Sequence, residues 1–542
     1  MRQLLRRFAV LGSSSVFTQL IAFATLAIVA RKAGPANLGA YNWGLGIVSF
    51  LSLPITSGIT AVGTRDIARD PSQARRVTGE VFLLQLLLAG IGYLLLVLLA
   101  GVIAPTAAMR QLLPVVGLFL FTGTSFEWTL QALGRMRQIA VARIFGQVVF
   151  GALVPILVIS GFEGIRRYAW LMIAGLALKH LATTVFMVRS IGIPRLPARW
   201  SPLWRRLRGS SALGYTTVVL QLYSSFDLLM LGYLSTSYDT GQYAAANRIP
   251  GAIVTFVGAA WTSVVFPHSA ALAKTDRRQL RIHVRSLLTL TAMVSLPLAV
   301  CTPFVAGPLM ALVFGSQFAA AGTAFALLTI SLAAGLIDMT LITILIGLGG
   351  DRRYAFAVTA AAMLNIALNI PVIPLFGRNG AAIDTIISDA LLFVITARAA
   401  RAALGGLSLE WGRIGRSAMA LIPTLLALVV VPESVAPVWV RIPLALVVYC
   451  IATLLLGAVR PSEIRHVFAR DLPEADQPAA TTTPSRRRTS SGRKVRGDSV
   501  SRAARTDPTP ARGQDPVGVP SSRPGASRAT ARGSGTRRFE PE

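Results

Sequence analysis

The sequence predicts an all-α polytopic membrane protein with about 14 transmembrane helices, arranged as two parallel six-helix lobes around a central cavity plus two extra C-terminal helices. The chain has 542 residues, of which 53% are hydrophobic and only 14% are charged, whereas soluble domains carry about 25% charged residues. Apolar runs long enough to span a bilayer recur along most of the chain. A third observation is an internal repeat, in which the start of the chain matches its middle.

The repeat aligns the chain with itself, without a gap, at a shift of 202 residues. Gly39 falls on Gly241 and Tyr41 on Tyr243, and ten positions between 12 and 62 are identical in the two copies. Transporters built from two similar halves commonly form a substrate cavity between them. The repeat therefore predicts a transporter with a central cavity.

Fourteen apolar spans follow one another along the chain, and the last two lie outside the repeat. Their predicted bounds, each defined to within a few residues, are 9–30, 40–62, 80–103, 112–133, 140–160, 168–190, 209–234, 243–267, 284–308, 321–348, 354–376, 380–400, 415–432 and 437–459. The first run is longer than the apolar region of a signal peptide, so it is expected to be an uncleaved helix.

Charge in the loops predicts the orientation. With the N-terminus in the cytoplasm, the inside segments before the tail hold 26 Lys and Arg residues and the outside segments hold seven. Such an excess is typical of cytoplasmic loops. Six spans per half then make the halves parallel repeats. We expect a multi-pass protein of the bacterial plasma (inner) membrane with both termini in the cytoplasm.

The expected organisation has four parts. These are an N-lobe at 1–202 (spans 1–6), a C-lobe at 203–404 (spans 7–12), spans 13 and 14 at 405–462, and a basic cytoplasmic tail at 463–542. From about residue 471 the tail is rich in Pro, Ser, Thr, Arg and Gly and has almost no large apolar residue. A segment of this composition cannot bury a core, so it is predicted to be disordered.

The motifs of several enzyme classes are missing from the sequence. It contains no GxxxxGK[ST] loop, no HExxH and no Cys-x-x-Cys, and its four histidines are far apart. The net charge of +30 lies mostly in short loops between apolar segments, where topology explains it better than nucleic-acid binding does. We therefore expect no enzyme activity, cofactor, metal or nucleic-acid partner.

Three stretches resemble a known family. The first is AIVARKAGPANLGAYNWG, the second is DLLMLGYLSTSYDTGQYAAANRI, and the third is LNIALNIPVIPLFGRNGAA. They resemble the polysaccharide (O-antigen type) flippases of the multidrug/oligosaccharidyl-lipid/polysaccharide exporter superfamily, over about residues 9–460. The tail lies outside the family pattern.

The resemblance implies two six-helix lobes that work by alternating access. It implies a substrate in which an oligosaccharide is linked to undecaprenyl pyrophosphate and is moved to the outer leaflet. The implied partners are this lipid-linked glycan, membrane lipids and other polysaccharide-synthesis proteins.

Charged residues inside apolar spans are the candidates for transport, because each costs about 2.5–3.5 kcal/mol near the centre of a bilayer. The substrate-binding candidates are Arg31, Lys179, Asp227 and Arg248. Asp227 and Arg248 can approach each other if their spans are neighbours, either as a cavity pair or as a structural salt bridge. Arg31 is expected to be an anchor that reaches the interface or a phosphate contact. The repeat places no charge opposite Asp227 and Arg248, so this pair belongs to the second half alone.

The acidic residues inside spans are candidates for ion coupling. They are Glu127, Asp338, Asp384 and Asp389. Each can be a proton or cation site, or a partner of Lys179, which needs water or an acid nearby. Asp384 lies near a span start and can also sit at the interface. It stands where family members often have an uncharged residue, so no role is carried over to it. Asn365 and Asn369 lie on one helix face, which favours helix–helix hydrogen bonding.

Two alternatives to the flippase remain open from the residues. A cation-coupled multidrug antiporter on the same fold would have an acidic or apolar cavity dominated by Asp227, Asp338 and Glu127. A scaffold of cell-wall synthesis would depend on the tail and tolerate neutralisation of Asp227 and Arg248.

Overall fold

The computed structural model describes residues 2–56, 58–159, 164–197, 199–261 and 265–459, which form helices joined by short connections. In the first half these helices are α1 (Arg2–Leu51), α2 (Leu53–Thr56), α3 (Ile59–Arg69), α4 (Ala74–Ile103), α5 (Ala107–Gly117), α6 (Glu127–Ala132), α7 (Met136–Ile159) and α8 (Ile165–Ile191). The all-α expectation is confirmed for these residues.

The remaining helices continue to the end of the described chain. They are α9 (Ser201–Leu234), α10 (Ser237–Ala246), α11 (Arg248–Ala260), α12 (Phe266–Thr275), α13 (Arg277–Cys301), α14 (Ala306–Phe314), α15 (Gly322–Gly347), α16 (Asp351–Leu404), α17 (Trp411–Val430) and α18 (Val438–Leu455). The predicted tail, 463–542, lies outside the described residues. The lobe boundaries at 202 and 404 stay predictions.

Eleven helical segments in the described part of the chain are long and apolar enough to cross a membrane. Two of them lie in bent helices. The α16 helix contains the predicted spans 354–376 and 380–400 and bends at Gly377 (φ 55°), and α1 contains the predicted span 9–30 and the first part of span 40–62 and bends at Gly34 (φ 79°). A straight helix of the length of α1, 50 residues, would be about 75 Å long, more than twice the hydrocarbon core of a bilayer, about 30 Å. These positive φ angles suit glycine. The multi-pass expectation is confirmed.

The predicted span 243–267 is interrupted. Most of its described residues lie in α10, α11 and α12, none of which is long enough to cross a bilayer alone. Pro250 lies in the first turn of α11 and has no N–H to bond the carbonyl of Ala246, which ends α10. The exact count of 14 therefore stays a prediction.

The repeated glycines pack against each other. A β-carbon on Gly39 would lie 1.9 Å from the carbonyl oxygen of Ser237, and one on Gly241 would lie 1.8 Å from that of Pro35. Only glycine allows α1 and α10 to approach this closely. The repeat motif thus has a packing role, which joins the two halves of the chain.

A second connection joins the halves near the start of α9. The Nη1 atom of Arg206 lies 3.0 Å from Asp66 Oδ2, and its Nε atom lies 2.8 Å from Glu80 Oε2. The side chains of Arg206 and Glu80 are only 11% and 8% exposed. This ion-pair cluster attaches α9 to α3 and α4.

Candidate functional site

A cavity of about 410 Å³ lies between α1 and the segment α9–α11, where the two copies of the repeat meet. We call it the seam cavity. It is lined by Gln19, Asn42, Leu45, Gly46, Ser49, Ser224, Ser225, Asp227, Leu228, Tyr243, Ala244, Asn247, Arg248 and Gly251. Two of the predicted substrate-binding residues, Asp227 and Arg248, are among them.

Asp227 is buried and surrounded by neutral donors. Its Oδ1 accepts a hydrogen bond from Asn369 Nδ2 at 2.7 Å. Its Oδ2 accepts from the hydroxyls of Tyr243 at 2.9 Å and Thr385 at 3.0 Å. These contacts attach α9 to α10 and α16. The expected helix–helix role of Asn369 is confirmed.

Arg248 bonds across the seam, and its partner is not Asp227. Its Nη2 donates to Asn42 Oδ1 at 2.5 Å. Among the described residues no ion pair joins Arg248 to Asp227, although both line the seam cavity. At the equivalent position in the first copy, Gly46, a β-carbon would lie 2.9 Å from Leu229 Cδ2, so a side chain there would require the Leu229 side chain to move.

A larger cavity, about 760 Å³, lies within the second half between α9, α11, α15 and α16. We call it the acidic cavity. Asp227, Asp338 and Asp389 line it, together with Tyr223 and Ser331. The lining residues, within the part of the chain that the structure describes, include no Lys, Arg or His. Tyr223 and Ser331 donate to Asp389, and Thr396 donates to Asp338.

Asp384 lies beside these cavities but lines neither of them. It is fully buried inside the protein. Its Oδ2 accepts from Asn365 Nδ2 at 2.9 Å, and its Oδ1 accepts from the Ser388 hydroxyl at 3.2 Å. Asp384 thus joins the two arms of α16.

The acidic partner of Lys179 is Glu127. Its Nζ lies 3.2 Å from Glu127 Oε1. A second cation completes the group, because Arg143 Nη2 lies 2.6 Å from Glu127 Oε2. Sequence reasoning missed Arg143, although a charge about one turn inside the predicted span 140–160 was the available signal. None of the three residues lines the seam cavity.

The side chain of Arg31, a residue of α1, lies at the C-terminal end of α14. Its guanidinium donates to the carbonyl oxygens of Val313, at 3.1 Å, and Leu312, which belong to the last turn of α14. A cation is favourable there because the final carbonyls of a helix lack partners. Arg31 thereby attaches α1 to α14, and it does not line the seam cavity.

Comparisons with known proteins support this architecture. The family described as "Polysaccharide biosynthesis protein" matches residues 28–322, more than half of the chain.

Two curated relatives are from Haloferax volcanii. The probable flippase AglR is 29% identical over 183 residues, which is 33% of this chain and 38% of the relative. The probable low-salt glycan biosynthesis flippase Agl15 is 28% identical over 181 residues, which is 32% of this chain and 37% of the relative. The matches therefore span less than two fifths of these relatives.

Two solved structures have similar folds. The lipid II flippase MurJ, in an inward closed conformation, has a TM-score of 0.65 at 14% identity, covering 85% of this chain and 99% of that one. A multidrug resistance MATE family transporter of the MOP superfamily, in an inward-facing conformation, has a TM-score of 0.59 at 16% identity, covering 71% and 95%. These likenesses confirm the expected polytopic membrane fold. The chain belongs to the polysaccharide biosynthesis protein family and has the fold of the MOP superfamily.

Proposed function

We propose that this chain is a non-enzymatic flippase that moves a lipid-linked oligosaccharide, carried on undecaprenyl pyrophosphate, from the inner to the outer leaflet by alternating access. The observation that carries the proposal is Arg248, a cation held in the seam cavity by a neutral partner. Asn42 is its one hydrogen-bond partner among the described residues. A guanidinium suits bidentate binding of phosphate oxygens, so the remaining N–H groups are available to a pyrophosphate.

An apolar cavity next to the seam suits the lipid chain. It has a volume of about 410 Å³ and is lined by residues of α11, α13, α14, α15, α17 and α18. No charged side chain is among its lining residues in the described part of the chain. Ile249 lines this apolar cavity and Arg248, its neighbour in the chain, lines the seam cavity. The start of α11 therefore contributes to both cavities, which suits a substrate with a charged headgroup and an apolar tail.

The acidic cavity supports coupling to a cation or proton gradient. Asp227, Asp338 and Asp389 face one space without a basic residue among its lining. Like charges in one site favour the uptake of a proton or a cation. Asp227 lines both the acidic and the seam cavity, so occupancy of one affects the charge of the other. The proposed location of the protein is the bacterial plasma membrane, with both termini in the cytoplasm. Its proposed partners include other glycan-synthesis proteins.

The direct test is depletion of the protein in its host, followed by analysis of lipid-linked precursors. The expected result is accumulation of precursor on the cytoplasmic side, and normal precursor levels would refute the proposal. Wild type should restore transport, and so should Arg110→Gln, a change at an exposed position. Arg248→Gln should fail to do so, and Arg248→Lys should restore it in part because it keeps the charge without the planar fork.

The multidrug antiporter is the second candidate, and the acidic cavity is the observation that favours it. An organic cation could bind Asp227, Asp338 and Asp389 there. Expression in a drug-sensitive host distinguishes the candidates. Resistance that depends on Asp338 and survives Arg248→Gln would favour the antiporter, and unchanged sensitivity would favour the flippase.

A further inference from the structure

We propose a second phosphate-binding site, separate from Arg248, that is formed by Arg143 and Lys179 and held in shape by Glu127. It rests on the proposed function, because the ligand in question is the pyrophosphate group of the lipid-linked substrate. The three side chains come from three consecutive helices, α6, α7 and α8. We call them the triad.

The contacts define a compact group. Glu127 Oε2 accepts from Arg143 Nε at 3.0 Å and from Nη2 at 2.6 Å, while Lys179 Nζ lies 3.2 Å from Oε1. Gly146 permits this arrangement, since a β-carbon there would lie only 2.9 Å from Lys179 Cβ. The absence of a side chain at Gly146 therefore lets α8 bring Lys179 close to α7.

The triad has one positive charge in excess. Two bases share one acid, and among the described residues no second carboxylate pairs with Arg143 or Lys179. His180 follows Lys179, and its ring nitrogens contact the backbone carbonyls of Leu176 and Thr122. A structural ion pair within a span requires only one base, and an excess charge at membrane depth is costly. An anionic ligand would offset it.

The triad is also accessible and close to the transport path. The side chains of Arg143, Lys179 and Glu127 are 34%, 21% and 17% exposed. Arg143 Nη1 donates to the Ser15 hydroxyl at 3.3 Å. Ser15 precedes Gln19 by one helical turn, about 5.4 Å along α1, so both lie on one face. Gln19 lines the seam cavity. A ligand that moves along this face of α1 passes from the triad to the cavity that contains Arg248.

Binding of undecaprenyl pyrophosphate to the full chain in nanodiscs of zwitterionic lipid tests the site. Arg143→Gln and Lys179→Gln should each weaken binding by about tenfold, the effect of one charge-assisted hydrogen bond. Arg137→Gln is the matched control, because Arg137 lies on the same helix at an exposed position. It should leave the affinity unchanged.

Glu127→Gln separates a binding role from a structural one. It raises the excess charge of the triad from one to two and should tighten pyrophosphate binding several-fold. If the triad only held the helices together, the same variant would lower thermal stability without tightening pyrophosphate binding. That result would overturn the proposal, as would Arg143→Gln with wild-type affinity.

Two further experiments identify the source of the phosphate and distinguish failure of this site from failure of the flippase proposal. Competition by phosphatidylglycerol that equals undecaprenyl pyrophosphate would indicate a lipid-headgroup site and reject the substrate role. Loss of transport in Arg248→Gln together with normal pyrophosphate affinity and transport in Arg143→Gln would reject the triad alone. Normal precursor levels after depletion of the protein would reject the flippase itself.

Discussion

Arg248 donates a hydrogen bond to Asn42 at 2.5 Å, and the two residues belong to different copies of the internal repeat. The contact holds the guanidinium at the wall of the seam cavity without neutralising it. A carboxylate at position 42 would have formed a salt bridge instead. The positive charge of Arg248 therefore remains available to a ligand.

Asn42→Asp should suppress transport of an anionic substrate. The new carboxylate would pair with Arg248 and compete with phosphate. We expect transport to fall about tenfold, which corresponds to the free energy of one hydrogen bond to a charged group. Precursor flipping in the depleted host measures the effect, and Asn42→Ala is the control that removes the contact without adding charge. Equal transport by both variants would contradict the prediction.

Gly241→Ala should destabilise the protein. The new methyl group would meet the backbone of Pro35 at 1.8 Å, and overpacking of this kind costs about 1–3 kcal/mol. The unfolding temperature in detergent should drop by several degrees. Gly90→Ala is the matched control, because nothing lies within 4 Å of a β-carbon there. If both variants melt alike, the tight approach of α1 and α10 is not needed for stability.

Arg206→Gln should weaken the attachment of α9 to α3 and α4. It leaves Asp66 and Glu80 without the base that bridges them, and loss of one partner from a nearly buried ion pair costs about 3 kcal/mol. Thermal unfolding and protease sensitivity near residue 200 should both report the loss. The double variant Arg206→Glu with Glu80→Arg should recover part of the stability. Wild-type stability of Arg206→Gln would refute this role.

Asp389→Asn should uncouple transport from its ion gradient. The substitution removes a charge from the acidic cavity while an amide can still contact Tyr223 and Ser331. We expect transport to lose its dependence on an imposed sodium or proton gradient, with substrate binding retained. Gradient-driven flux in proteoliposomes measures this. Asp351→Asn, an exposed acid at the start of α16, should keep the dependence.

Truncation after residue 462 separates a transporter from a scaffold. The predicted tail has almost no large apolar residue, so transport should survive its removal. Complementation of the depleted strain measures the outcome. Loss of function with normal abundance in the membrane would favour the scaffold.

The fold was predictable because hydrophobic length and loop charge are local signals. The bends at Gly34 and Gly377 fall between predicted spans, where glycine interrupts apolar runs. Pro250 was expected to weaken the helix locally, but the division of its span into α10 and α11 was not predicted, since a continuous apolar run conceals it.

The candidate residues were predictable, but their partners were not. Asp227 and Lys179 were identified because each is a charged residue inside an apolar span, where a charge is costly unless it has a partner or a function. The partner of Asp227 on α16, Asn369, lies 142 positions away, and only tertiary packing brings such residues together. Arg143 was missed although it carried the same signal as Lys179.

The contact between the repeated glycines is reciprocal. Gly39 faces the carbonyl of Ser237 and Gly241 faces that of Pro35, and Ser237 is the repeat equivalent of Pro35 at the same shift of 202. A patch that contacts its own equivalent is the geometry of an isologous, two-fold dimer interface. Within one chain, the two copies of the repeat therefore contact each other through equivalent residues, as the two subunits of such a dimer do.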